Sequence, residues 1–70
     1  MRITYDPEVD ALYIRFRETS VTTERLAGGL ALDYDTTGRL AGIEVLDARS
    51  RLGDLDSLDS VTLDKIAKAS

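Results

Sequence analysis

Two stretches of this chain alternate apolar and polar residues on either side of a turn signal, and that pattern constrains the fold more than any other feature. In the first, RITYD (2–6) and ALYIRF (11–16) are joined through DPEVD (6–10) and are rich in β-branched and aromatic side chains. Period-two alternation with that composition predicts strands. Asp6 suits a side-chain bond back onto the turn backbone, and Pro7 presets the dihedral of the second turn position. In the second, GLALDYD (29–35) and RLAGIEVLD (39–47) flank DTTG, where Asp35 fits the first turn position and Gly38 the fourth. Both stretches predict β-hairpins.

Glu44, set between Ile43 and Val45, decides the register of the second hairpin. An unpaired carboxylate is costly to bury, so it must face water, meet a cation, or be kept for chemistry or a partner. A three-residue loop places Glu44 on the face of Leu30, Leu32 and Tyr34. A four-residue loop, Asp35 to Gly38, instead pairs Tyr34 with Arg39 and Leu32 with Ala41. That register gathers Leu30, Leu32, Tyr34, Ala41, Ile43 and Val45 on one face and leaves Asp33, Gly42 and Glu44 opposite. Because a one-residue slip flips every side chain, the four-residue loop is predicted. In the first hairpin Ile3, Tyr5, Leu12, Ile14 and Phe16 share one face, with Thr4, Ala11, Tyr13 and Arg15 opposite. The hairpins share Tyr5 and Tyr34, Asp6 and Asp35, and Ile14 and Ile43 at an offset of 29. Arg15 and Glu44 thereby take corresponding outer-face positions, and Arg15 is the expected cation for Glu44.

Elsewhere the signals are shorter. RETSVTTERLAG (17–28) is polar, with a short strand at Val21, Thr22 and Thr23. ARSR (48–51) suits one helical turn capped by Asp47 and stopped by Gly53. Leu52, Leu55, Leu58 and Val61 recur every third residue, a spacing that drifts around an α-helix. A final helix is expected from Ser60 or Thr62 to about Lys68, with Leu63, Ile66 and Ala67 as its apolar stripe. The expected fold is α+β, a single domain over 1–70. Two consecutive hairpins, four main strands, form a small antiparallel sheet, and the C-terminal helix packs on Leu12, Ile14, Leu32 and Ile43.

Composition narrows the function classes. The chain has 70 residues, no cysteine and no histidine. Disulfides, thiolate zinc sites and the commonest general base are excluded. So short a chain keeps marginal stability, which makes a homodimer or a bound small protein the expected support. Thirteen acids against nine scattered bases give a net charge of -4, which disfavours nucleic acid. No apolar stretch approaches a membrane span and the start carries no signal-peptide core, so a cytoplasmic location is expected.

One helix covers one sheet face, and the other still carries Tyr13, Ala31, Leu40 and Leu46. Dimerisation or partner capture is expected there, through Tyr13, Arg15, Asp33, Leu40, Glu44 and Leu46. Asp33 with Glu44 offers an acid and base pair, which a hydrolase assembled across a dimer interface would need. A sheet with one helix has little cleft of its own. DLDSLD (54–59) lacks the glycine and distal glutamate of a calcium loop, and its acids suit helix capping. Thr22, Thr23, Ser50 and Ser57 have no histidine to activate them. The sequence therefore assigns no catalytic residue, metal ligand or cofactor.

YDPEVDALYIRF followed by GLALDYDTTGRLAGIEVLDA resembles the family called domain of unknown function 2283, also described as YuzE-like. The resemblance covers about residues 3–50 and leaves 51–70 as an extension. The matching positions are Asp6, Pro7, Asp10, Leu12, Tyr13, Ile14, Asp33, Asp35, Gly38, Gly42, Ile43 and Glu44. The resemblance implies a small bacterial or archaeal protein without family catalytic residues, in some members beside partner genes arranged like toxin and antitoxin pairs. The expectation is a non-catalytic interaction or regulatory module, such as a neutralising partner. A small carboxylate-based hydrolase is the alternative.

Overall fold

The computed structural model describes residues 1–55 and 63–67. Five strands, β1 (Arg2–Asp6), β2 (Ala11–Arg15), β3 (Thr22–Leu26), β4 (Leu30–Tyr34) and β5 (Leu40–Leu46), precede one short helix, α1 (Ala48–Leu52). They form a single antiparallel sheet in the order β1-β2-β5-β4-β3. The two expected hairpins, β1–β2 and β4–β5, join through β2 and β5 at the centre. The sheet has five strands where four main ones were expected. The short strand anticipated at Val21, Thr22 and Thr23 begins instead at Thr22, runs on to Leu26 and pairs with β4 along its whole length.

The faces of the first hairpin are as expected: Ile3 pairs with Ile14, and Tyr5 with Leu12. Its turn is closed by the Asp6 carboxylate, which accepts the Glu8 N–H at 3.0 Å. Asp35 repeats that role in the second hairpin, accepting from the Thr37 N–H, the Thr37 hydroxyl and the Arg39 N–H.

The register of the second hairpin differs from expectation, yet the faces survive. Gly38 N–H donates to Asp35 C=O and Asp35 N–H to Arg39 C=O, so three residues lie between the closing pair. This is a type I turn ending on a residue with positive φ, and Gly38 sits at φ 84°. Tyr34 then pairs with Leu40, but Asp33 pairs with Gly42 and Leu32 with Ile43. A β-bulge has inserted one extra residue at Ala41. The shorter loop alone would have turned Glu44 to the apolar side; the bulge reverses the parity and restores it to the side of Asp33 and Gly42.

The helix also differs from the sequence reading. Residues 63–67 hold no regular structure, and Leu63 and Ile66 are exposed, so the expected terminal helix does not cover the sheet there. Ser60, Thr62, Leu58, Val61 and Lys68 lie outside the described residues. Among the described residues, cover comes instead from Ala48 of α1 and from Leu55. Ala48 and Leu55 bury against Leu12, with Tyr5 and Val45 beside them. Gly53 ends the helix as expected, its N–H donating to Arg49 C=O. Asp47 occupies the cap position in a left-handed conformation and makes no side-chain cap bond. Asp10 does that work from the β1–β2 turn. Its carbonyl accepts the Ala48 N–H at 3.0 Å and its carboxylate accepts the Arg49 N–H at 3.1 Å.

Candidate functional site

Strand pairing assembles two cross-sheet rows on the face that carries Glu44. One runs Thr4, Tyr13, Glu44, Ala31, Arg25; the next runs Arg2, Arg15, Gly42, Asp33, Thr23. The first row answers what a charge does in an apolar strand. The Glu44 side chain is only 16 % exposed, and the Arg25 guanidinium stands 3.9 Å from its carboxylate. Arg15 is not its cation. The β2–β5 register sets Tyr13 opposite Glu44 and Arg15 opposite Gly42, and Arg15 turns instead to Glu18 at 3.2 Å.

Gly42 is a point of close approach. A Cβ there would lie 3.0 Å from the Ile14 carbonyl oxygen and 3.5 Å from the Asp33 carboxylate. The missing side chain lets Asp33 lean over β5, where its other oxygen accepts the Thr23 hydroxyl hydrogen bond at 2.6 Å. Asp33 and Glu44 stand on neighbouring rows, each held by a partner on the edge strand β3.

Of the six residues expected to meet a partner, Tyr13, Arg15, Asp33 and Glu44 share this polar face, with Leu46 one register step beyond Glu44. Leu40 leaves the group: beyond the bulge it is the partner of Tyr34. The face is less apolar than expected. Ala11 and Ala31 are buried beneath longer neighbours, and Arg51 lies against the Gly28–Gly29 turn and donates to Leu46 C=O at 3.1 Å.

The opposite face is the apolar one. Ile3, Ile14, Ile43 and Leu32 form a continuous aliphatic row ending at Glu24, and Tyr5, Leu12, Val45, Leu30 and Leu26 form the next. α1 and Leu55 cover the second row around Leu12, while Ile3, Leu26, Leu30 and Phe16 remain exposed.

Two polar networks brace the ends of the sheet. The Tyr5 hydroxyl donates to Asp10 at 2.7 Å and accepts from Arg49 Nε at 2.8 Å, while the Arg49 guanidinium lies 5.8 Å from the Tyr5 ring centre. The bond to Asp10 and partial desolvation hold the Tyr5 phenol above its ordinary pKa, against the opposing pull of Arg49. At the other end, the Thr37 hydroxyl, Arg17 at 2.5 Å and the Arg39 N–H hold Asp35 well below the usual carboxylate range. Arg25 and the Asp10–Arg49 contact escaped the sequence reading. Arg25 lies in a segment without clear periodicity, and Asp10 reaches its partner across 39 residues.

Among the described residues, no helix is long and apolar enough to cross a membrane and no three acids gather as a metal site would require. No curated protein and no solved structure matches the chain. The family described as protein of unknown function (DUF2283) matches residues 2–49, a span that holds all five strands and the motifs around Asp10 and Glu44. The chain belongs to the DUF2283 family.

Proposed function

We propose that this protein is a non-catalytic interaction module whose partner is a second copy of itself, bound through the apolar sheet face. The observation that carries this reading is the aliphatic row Ile3–Ile14–Ile43–Leu32, which crosses four strands beside exposed Leu30, Leu26 and Phe16. A sheet face with one apolar side demands a second layer, and a second sheet packs on it about 10 Å away. Self-association suits this surface because a two-fold contact sets identical apolar patches against each other. Ile3, Phe16, Leu26 and Leu30 are each more than a third exposed on this face, a small patch of the size that weak dimers bury. Glu24 at the end of the row, with Arg25 on the same edge strand, discourages further edge-to-edge growth.

Sedimentation equilibrium tests this directly. The expected result is a monomer–dimer equilibrium in the micromolar range, with Leu30→Lys monomeric and its circular dichroism unchanged. A wild-type chain that stays monomeric to several hundred micromolar, on the order of the weakest specific contacts, overturns the reading.

A further inference from the structure

Arg2 and Arg15 are direct cross-strand partners on the polar face. Like charges in that arrangement repel. Glu18 bridges them on one side, with Oε1 3.8 Å from Arg2 Nη1 and Oε2 accepting from Arg15 Nη1 at 3.2 Å. On that side the pair borders a depression of about 190 Å³ that Met1, Arg17 and Glu18 complete. On the other side it borders a second depression of about 220 Å³, and here the lining is Arg2, Thr4, Tyr13 and Arg15. Thr4 and Tyr13 are themselves cross-strand partners, one step along the same face.

This second depression is therefore lined by two arginines, a threonine and a tyrosine, with no acid among them. Guanidinium forks match the paired oxygens of an oxyanion, and hydroxyls add donors at the remaining ones. A carboxylate has two oxygens to offer; a phosphoryl group has three or more acceptors and a charge near -2. We propose that the depression between Arg2, Thr4, Tyr13 and Arg15 binds a phosphoryl group, as free phosphate or as a small phosphate monoester. Bound there, the anion screens the arginine pair from the side Glu18 does not reach. The site lies on the opposite face from the apolar rows, so it is independent of the dimer contact. The net charge of -4 opposes any anion, and binding in the millimolar range is expected.

Amide and guanidinium NMR shifts followed during titration with inorganic phosphate, and in parallel with glycerol phosphate, test the proposal. Sodium chloride at matched ionic strength is the control. The expected result is saturable shifts centred on Arg2, Thr4, Tyr13 and Arg15 with phosphate. Equal affinity for the monoester identifies recognition of the phosphoryl group alone, and tighter binding of the monoester identifies an esterified ligand. Arg15→Gln and, separately, Arg2→Gln on the edge strand are each expected to weaken binding about tenfold. Glu18→Gln, which removes a competing carboxylate, is expected to strengthen it several-fold. Shifts that chloride reproduces, or affinity unchanged in both arginine variants with their remaining spectra intact, overturn the proposal.

Discussion

Glu44 and Gly42 show how a single position in this sheet is set by its neighbours on adjacent strands. Gly42 has a Cβ position 3.0 Å from the Ile14 carbonyl oxygen, a backbone atom fixed by the β2–β5 pairing. Gly42→Ala is accordingly expected to destabilise the fold by about 1–3 kcal/mol, as overpacking does, seen as a lower denaturant midpoint. An unchanged midpoint would show that β2 yields without cost. Asp35 gives a prediction in pH. Its folded pKa is depressed, so as pH falls the unfolded chain takes up the proton first. Its contribution is complete above the usual carboxylate value and is lost as pH falls below it. Asp35→Asn is expected to flatten the stability profile between about pH 4 and pH 2. An acid limb as steep as that of the wild type contradicts this. At this scale the sequence left Glu44 to face water or meet a cation, and the cation it favoured, Arg15, is not the one at hand. The offset of 29 paired Arg15 with Glu44 by position in each hairpin, whereas contact depends on how the two hairpins register against each other.

A five-residue helix cannot hold itself in water, so α1 depends on what caps and covers it. Asp10 supplies the cap from a left-handed conformation, φ 53°, that aspartate and asparagine tolerate better than alanine. Asp10→Ala is expected to cost about 1–2 kcal/mol, with faster exchange of the Arg49 amide, and Asp10→Asn is expected to retain most of the stability. Equal losses in the two variants would assign the effect to charge and not to capping. The hairpins were legible because their alternation and their turn aspartates are local signals. The bulge at Ala41 was not, since it compensates a loop one residue shorter than the parity argument assumed. The terminal helix was read from an apolar stripe at Leu63, Ile66 and Ala67, but such a stripe forms a helix only where a surface receives it. The described segment 63–67 lies exposed. Of the cover observed, Ala48 and Leu55, the latter falls where leucines recur every third residue, a spacing that marks no single helix face.

For the whole molecule, the two sheet faces have divided their tasks differently from the sequence expectation. The face of Glu44 carries charged and polar side chains in paired contacts, Arg25 with Glu44 and Thr23 with Asp33, while the face of Ile14 and Ile43 leaves Ile3, Leu26 and Leu30 exposed. Strand parity told which residues share a face. Which face lacked cover depended on where the chain after Asp47 packs, a long-range outcome that no local pattern records. In the proposed dimer a second copy supplies the missing layer. Isotope-filtered NMR on a mixture of labelled and unlabelled protein tests that claim most directly. The account expects intermolecular NOEs among the methyls of Ile3, Ile14, Leu30, Leu32 and Ile43, lost in Leu30→Lys. Only intramolecular NOEs from Leu63 or Ile66 to these methyls, or intermolecular NOEs confined to Tyr13 and Leu46, would contradict it.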